Sequence, residues 1–231
     1  MREIVLDTET TGLSAASGDR IIEIACLELV NHLPTGKQFQ CYLNPERPVS
    51  SDAFAIHGLG DEFLADKPRF GEILEELFAF IADSPLVIHN AEFDVGFVNA
   101  ELARLERPPL PIARATDTVA IARRKFPGAP ASLDALCRRF GIDNSERTKH
   151  GALLDAELLA EVYIDLIGAR QSQLILATET RDARAGGYGE MPRRVREVPL
   201  APRVTDAERE AHRTFVATLG DKPIWNDFLG G

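Results

Sequence analysis

No apolar run in these 231 residues approaches the ~20 that a membrane-spanning helix needs. The N-terminus, MREIVLDTE, has neither an apolar h-region nor a small-residue cleavage site, so no secretory signal is read there. Only three cysteines are present (Cys26, Cys41 and Cys137), odd in number and widely spaced. That argues against a disulfide framework or a zinc site and for free thiols in a reducing cytoplasm. Basic charge is also short: 26 Lys and Arg against 36 Asp and Glu give a net charge of −10. Broad duplex binding, which rests on many phosphate contacts, is disfavoured. An enzyme that grips only a strand end is not, because bound divalent cations supply positive charge toward phosphate.

What is present suits one α/β domain and a tail. Hydrophobic content is 45%, enough for a core. Residues 2–8, 21–30 and 37–43 read as three strands, the third following a Pro34-Thr35-Gly36 turn, and suggest an antiparallel meander. Residues 44–61 read as a long irregular segment, the kind of loop that often carries function. Helical periodicity then runs over 70–82, 92–105, 132–140 and 151–167, interleaved with short strands at 85–88 and 115–118. Ser132 is a helix N-cap and Gly141 closes that helix. Strands first, then strand and helix in alternation, predict a mixed sheet flanked by helices.

The acids are placed suggestively. Asp7 and Glu9 are two apart at the end of a strand, so their side chains share a side. Hard oxygen donors of this kind suit Mg²⁺ or Mn²⁺, although a D-x-E alone equally fits a solvated turn. Asp94 falls in the first turn of a helix just after a strand that delivers His89 and Asn90, where an acid also complements the helix dipole. His150 and Asp155 are five apart and would not share one helix face, which puts His150 in the preceding loop and Asp155 on the helix. Basic clusters at 123–125 and 138–139 read as solvated helix faces, while Arg147 and Lys149 are the candidates for phosphate contact.

Taken together, DTETTG, HNAEFD and HGALLDAELLA, in that order, resemble the DEDDh family of 3′→5′ exonucleases over roughly residues 1–170. AFAIHGLGDEF and the stretch from Ser132 to Tyr163 resemble the branch of that family that proofreads for bacterial DNA polymerase III. The resemblance implies a ribonuclease H-like exonuclease fold with a five-stranded mixed sheet. It implies that Asp7, Glu9, Asp94 and Asp155 bind two Mg²⁺ or Mn²⁺ ions and that His150 is the general base. It also implies contacts from Asp52 and His57 to the terminal nucleotide. Thr10, Leu13 and Phe93 are candidates for holding or wedging the last base, with core packing the alternative for Leu13 and Phe93. The activity so implied is release of 3′-terminal nucleoside monophosphates from single-stranded or frayed DNA, in a bacterial cytoplasm at replication forks. Action in DNA repair or on RNA ends is the alternative.

The tail has its own pattern. Residues 1–177 form the exonuclease domain in this reading, 178–203 a flexible linker rich in Arg, Pro and Gly, and 204–231 a polymerase-docking segment. Thr205-x-x-Glu208 is a capping box, and Ala207, Ala211, Phe215 and Leu219 recur every four residues. By resemblance this segment docks on the polymerase III alpha subunit, with Phe215, Trp225 and Phe228 as anchors. Gln171, Leu174 and Leu176 fit either a peptide that docks on the sliding clamp or the frayed end of the last domain helix.

Overall fold

A computed structural model describes residues 1–147, 149–169 and 204–219. The chain divides into two units, Met1–Ile175 and Leu176–Gly231. In the first unit, β1 (Arg2–Thr10), β2 (Ile21–Val30) and β3 (Leu33–Tyr42) form the antiparallel meander, and β4 (Leu86–Ile88) and β5 (Ala115–Asp117) extend it in parallel. The order is β3-β2-β1-β4-β5, a five-stranded mixed sheet with β1 at its centre.

Strand alternation sends β1 in two directions. Ile4 and Leu6 join Ile24, Cys26, Leu86 and Ile88 against α3 (Phe70–Ile81) and α4 (Ala91–Arg104) on one face. Val5 and Val87 pack on the other face against α5 (Thr118–Lys125), α6 (Leu133–Phe140) and α7 (Ala152–Leu166). Period-2 side chains from one strand thus feed two cores, and the strand is buried on both sides. Ser132 accepts from Ala135 N–H, and Gly141 takes the left-handed conformation past the end of α6, as the sequence predicts. Cys26 and Cys137 are buried, Cys41 is half-buried, and all three are free thiols.

Two sequence expectations are corrected. The β2–β3 turn is Asn31-His32, both with positive φ, so β3 begins at Leu33 and includes the Pro34–Gly36 stretch. A two-residue turn with two positive φ values matches strand twist, and an edge strand tolerates Pro34. The segment 44–61 is not irregular throughout. Ser50 caps α1 (Ser51–His57) by accepting from Ala53 N–H, Gly58 closes it at φ 77°, and the short α2 (Asp61–Leu64) follows. Short helices of 7 and 4 residues give too little periodicity to be seen in sequence.

In the second unit, α8 (Asp206–Ala217) begins at Thr205, with the Thr205–Glu208 capping box formed as predicted. Phe215 lies on it, 59% exposed. Gln171, Leu174, Leu176, Trp225 and Phe228 lie outside the described residues, as do the linker 178–203 and Gly220. Among the described residues, no helix is long and apolar enough to cross a membrane.

One ion pair ties the sheet to α4. Arg20 grips Glu101 with Nε–Oε1 at 2.6 Å and Nη2–Oε2 at 2.7 Å, and Glu101 is 2% exposed. A buried pair broken from one side leaves an uncompensated charge, which costs about 3–5 kcal/mol, whereas an apolar replacement of both is often neutral. Arg20→Met alone leaves Glu101 with Arg104 at 3.5 Å and should lower unfolding free energy by up to about 3 kcal/mol, the low end of that range. The double variant Arg20→Met/Glu101→Leu should recover most of it in urea denaturation.

Candidate active site

The C-terminal ends of β1 and β4 open between the N-termini of α4 and α7. Parallel pairing of Ile4 with Leu86 and Val5 with Val87 brings these two strand ends side by side. Asp7 and Glu9 project from β1 on the same side as Val5, toward α7. Thr8 follows Ile4 and Leu6 to the other side, where its hydroxyl donates to Asp94 Oδ1 at 2.7 Å. Asp94 is in the first turn of α4 and Asp155 in the first turn of α7, both 3% exposed. His150 sits in the loop before α7, with its backbone N–H on Ile56 O at 3.2 Å. Its ring is about half exposed.

Every residue that the sequence singled out for the metals, the base or the last nucleotide lines one cavity of about 800 Å³: Asp7, Glu9, Thr10, Leu13, Asp52, His57, Phe93, Asp94, His150 and Asp155. Leu13 is 83% exposed, so core packing does not describe it. Phe93 does two things, facing the cavity while its ring lies 4.8 Å from that of Phe97. His57 Nδ1 accepts from Leu59 N–H at 3.0 Å, which places the ring proton on Nε2. Asp52 is on the exposed side of α1.

The electrostatics are those of crowded acids. Burial pushes the Asp7 carboxyl far above its usual range, and Asp94, Asp155 and Glu9 push it further. Burial likewise lifts Glu9 to about 8, against the pull of His150. Asp94 is lifted by burial to about 7 although it accepts from Thr8. Asp155 is the exception. Burial would raise it, but hydrogen bonds from Arg147 and His150 outweigh burial and hold it low. Asp155 in turn lifts His150 through their hydrogen bond, against burial and the Arg147 charge.

This donor set fits divalent ions. Ligand atoms of Glu9, His150 and Asp155 all lie within 4.8 Å of one another, and Asp7 and Asp94 stand on the same cavity wall. Carboxylate oxygens are the ligands that hard cations take, and a dication would relieve the repulsion that lifts these pKa values.

Other functional neighbours escaped the sequence reading. Glu23, opposite Glu9 in the β1–β2 register and 2% exposed, accepts from Ala152 N–H at 3.1 Å and so holds the first turn of α7. An acid near the start of the largely apolar run IIEIACLELV was its only signal. Asp134 and His89 also line the cavity. Arg147, expected to face phosphate, lines this cavity too, with a side chain 7% exposed and engaged by Asp155 and Asp134. Lys149 stays exposed, its Nζ 5.5 Å above the Phe54 ring.

Crowding of this kind predicts a trade of stability for function. In chelator-treated protein, Asp7→Asn should raise the melting temperature, by about 2–4 °C per kcal/mol of repulsion removed. The parent protein should lose stability as pH rises from ~4 toward 8, because Glu9 and Asp94 hold protons in the fold that the unfolded chain releases. Saturating Mn²⁺ should reverse that loss, as differential scanning fluorimetry can measure.

The comparisons with known proteins agree with this geometry. Residues 4–163 match the family model described as Exonuclease (RNase_T). The DNA polymerase III subunit epsilon of Rickettsia felis is 44% identical over 222 residues, covering 95% of this chain and 97% of that protein. The subunit epsilon of Escherichia coli K12 is 44% identical over 237 residues, covering 97% of each. Among solved structures, exonuclease X in complex with 5′ overhanging duplex DNA is 28% identical, with a TM-score of 0.53 over 72% of this chain and 92% of that one. The nuclease domain of 3′hExo, a DEDDh family member bound to rAMP, shares the fold at 18% identity, with a TM-score of 0.63 over 73% and 92%. The chain belongs to this exonuclease family, in the branch of the DNA polymerase III epsilon subunits.

Proposed function

We propose that this exonuclease proofreads for a bacterial DNA polymerase III in the cytoplasm, removing 3′-terminal nucleotides from frayed DNA. The observation that carries this reading is the convergence of Asp7, Glu9, Asp94, Asp155 and His150 on one cavity. The four carboxylates hold two divalent ions, Mg²⁺ or Mn²⁺. When bound, such a pair stabilises the attacking and the leaving oxygen of an in-line displacement. His150 takes the proton of the attacking water, a role that its imidazole suits near neutral pH. The new P–O bond forms as the bond to the penultimate 3′ oxygen breaks, and a nucleoside monophosphate leaves.

Thr10, Leu13, Asp52, His57 and Phe93 hold the terminal nucleotide. Exposed Leu13 and half-buried Phe93 offer apolar surface to a base, which suits an unpaired end and reads no sequence. His57 lines the wall of the same cavity beside them.

The domain boundaries proposed are 1–177, 178–203 and 204–231. The last segment docks on the alpha subunit, for which the exposed Phe215 of α8 offers one anchor alongside Trp225 and Phe228. Gln171, Leu174 and Leu176 supply a clamp-binding peptide. A tether between nuclease and docking segment raises the local concentration of the nuclease at the primer end.

With Mg²⁺ and 5′-labelled single-stranded DNA, the protein should give a ladder of products shortened one nucleotide at a time from the 3′ end. A preference for RNA would sink proofreading, and no release from either would sink the enzyme reading. His150→Ala should slow release by about 10²–10⁴-fold while Asp7→Ala abolishes Mn²⁺-dependent activity. Removal of residues 204–231 should abolish pull-down of the alpha subunit and spare hydrolysis of free single strands.

A further inference from the structure

Arg147 holds the two groups that catalysis needs free. Its guanidinium clamps Asp155 from both sides, Nε toward Oδ1 and Nη2 on Oδ2 at 2.7 Å. Nη1 donates to Asp134 Oδ1 at 2.8 Å, and Nη2 approaches His150 Nδ1 at 2.9 Å. A planar fork over a carboxylate is the strongest geometry available to an ion pair, and both partners here are shielded from water (side chains 7% and 4% exposed).

A guanidinium that covers both Asp155 oxygens takes a lone pair on each and puts a positive charge beside them, so it competes with a divalent cation for that carboxylate. His150 Nδ1 also lies 3.3 Å from Asp155 Oδ2, so Arg147 and His150 converge on one oxygen.

We propose that Arg147 is an internal latch. It occupies Asp155 in place of a divalent cation, and ion binding displaces it. Asp134, half exposed, is the seat to which the displaced guanidinium remains tied. The residue therefore acts as a positioning group for Asp155 whose displacement is coupled to metal binding. The proposal rests on the reading of Asp155 as a metal ligand.

Calorimetric titration of the chelator-treated full chain with Mn²⁺ tests it, without reference to turnover. Arg147→Gln should bind Mn²⁺ about 5–100-fold more tightly than the parent. Arg147→Lys keeps the charge but cannot cover both oxygens, so it should also bind more tightly, by a smaller factor, and it guards against a folding defect in the glutamine variant. Tighter binding by Arg147→Gln alone, with Arg147→Lys equal to the parent, would mean bulk charge rather than a latch and would overturn the proposal. So would unchanged or weaker binding in both. Asp155→Asn separates the two layers. Loss of binding there with unaltered Arg147 variants overturns the latch alone, whereas unchanged binding there removes the metal reading and the latch with it.

Discussion

Like charges crowded at the end of a buried strand are the constraint on which this structure turns. Asp7, Glu9 and Asp94 lie where burial and mutual repulsion oppose ionisation, and their pKa values rise accordingly. A fold that keeps such groups together must be held by contacts elsewhere. The two cores on either face of β1 do this. They bury Ile4 and Leu6 on one side and Val5 on the other, so the strand that carries Asp7 and Glu9 has little freedom to retreat.

The remaining acids come in from opposite layers. Asp94 arrives on α4 and is fixed by the Thr8 hydroxyl, while Asp155 arrives on α7, whose first turn is pinned by Glu23. Asn90 enters α4 at φ 71°, a conformation that asparagine tolerates better than most residues, and its N–H is held by Asp117 at the end of β5. Packing thus aims two helix N-termini at one strand end. Helix N-termini favour negative charge, which offsets part of the crowding. Arg147 offsets another part, most directly at Asp155 and through its charge at Asp7 and Glu9.

Much of the architecture was legible from the sequence because its signals are local. Periodicity marked α3, α4, α6 and α7, and caps at Ser132 and Thr205 marked helix starts. The β2–β3 turn was misplaced because Pro34-Thr35-Gly36 carries the stronger turn composition, while Asn31-His32 adopts its positive φ values under the register of an edge strand. The helix α1 was missed because seven residues with Ala53 and His57 buried form too short a stripe. The partners of Arg147 were not legible for a different reason. A basic residue beside a motif reads as free to meet phosphate, and only the folded loop shows its guanidinium on Asp155 and Asp134.

The sequence by itself determined the identity and order of the chemical groups: DTETTG, HNAEFD and HGALLDAELLA in succession, and with them the class of reaction. It could do so because side-chain chemistry and motif order are properties of the chain. Tertiary structure alone decided which groups face one another. Glu23 opposite Glu9, Thr8 on Asp94, and Arg147 across Asp155 and His150 are contacts between residues from 3 to 86 apart in sequence. Strand register and helix docking create them, and with them the pKa shifts and the competition for Asp155. Charges interact through space, so their energies are set only when the chain has closed on itself.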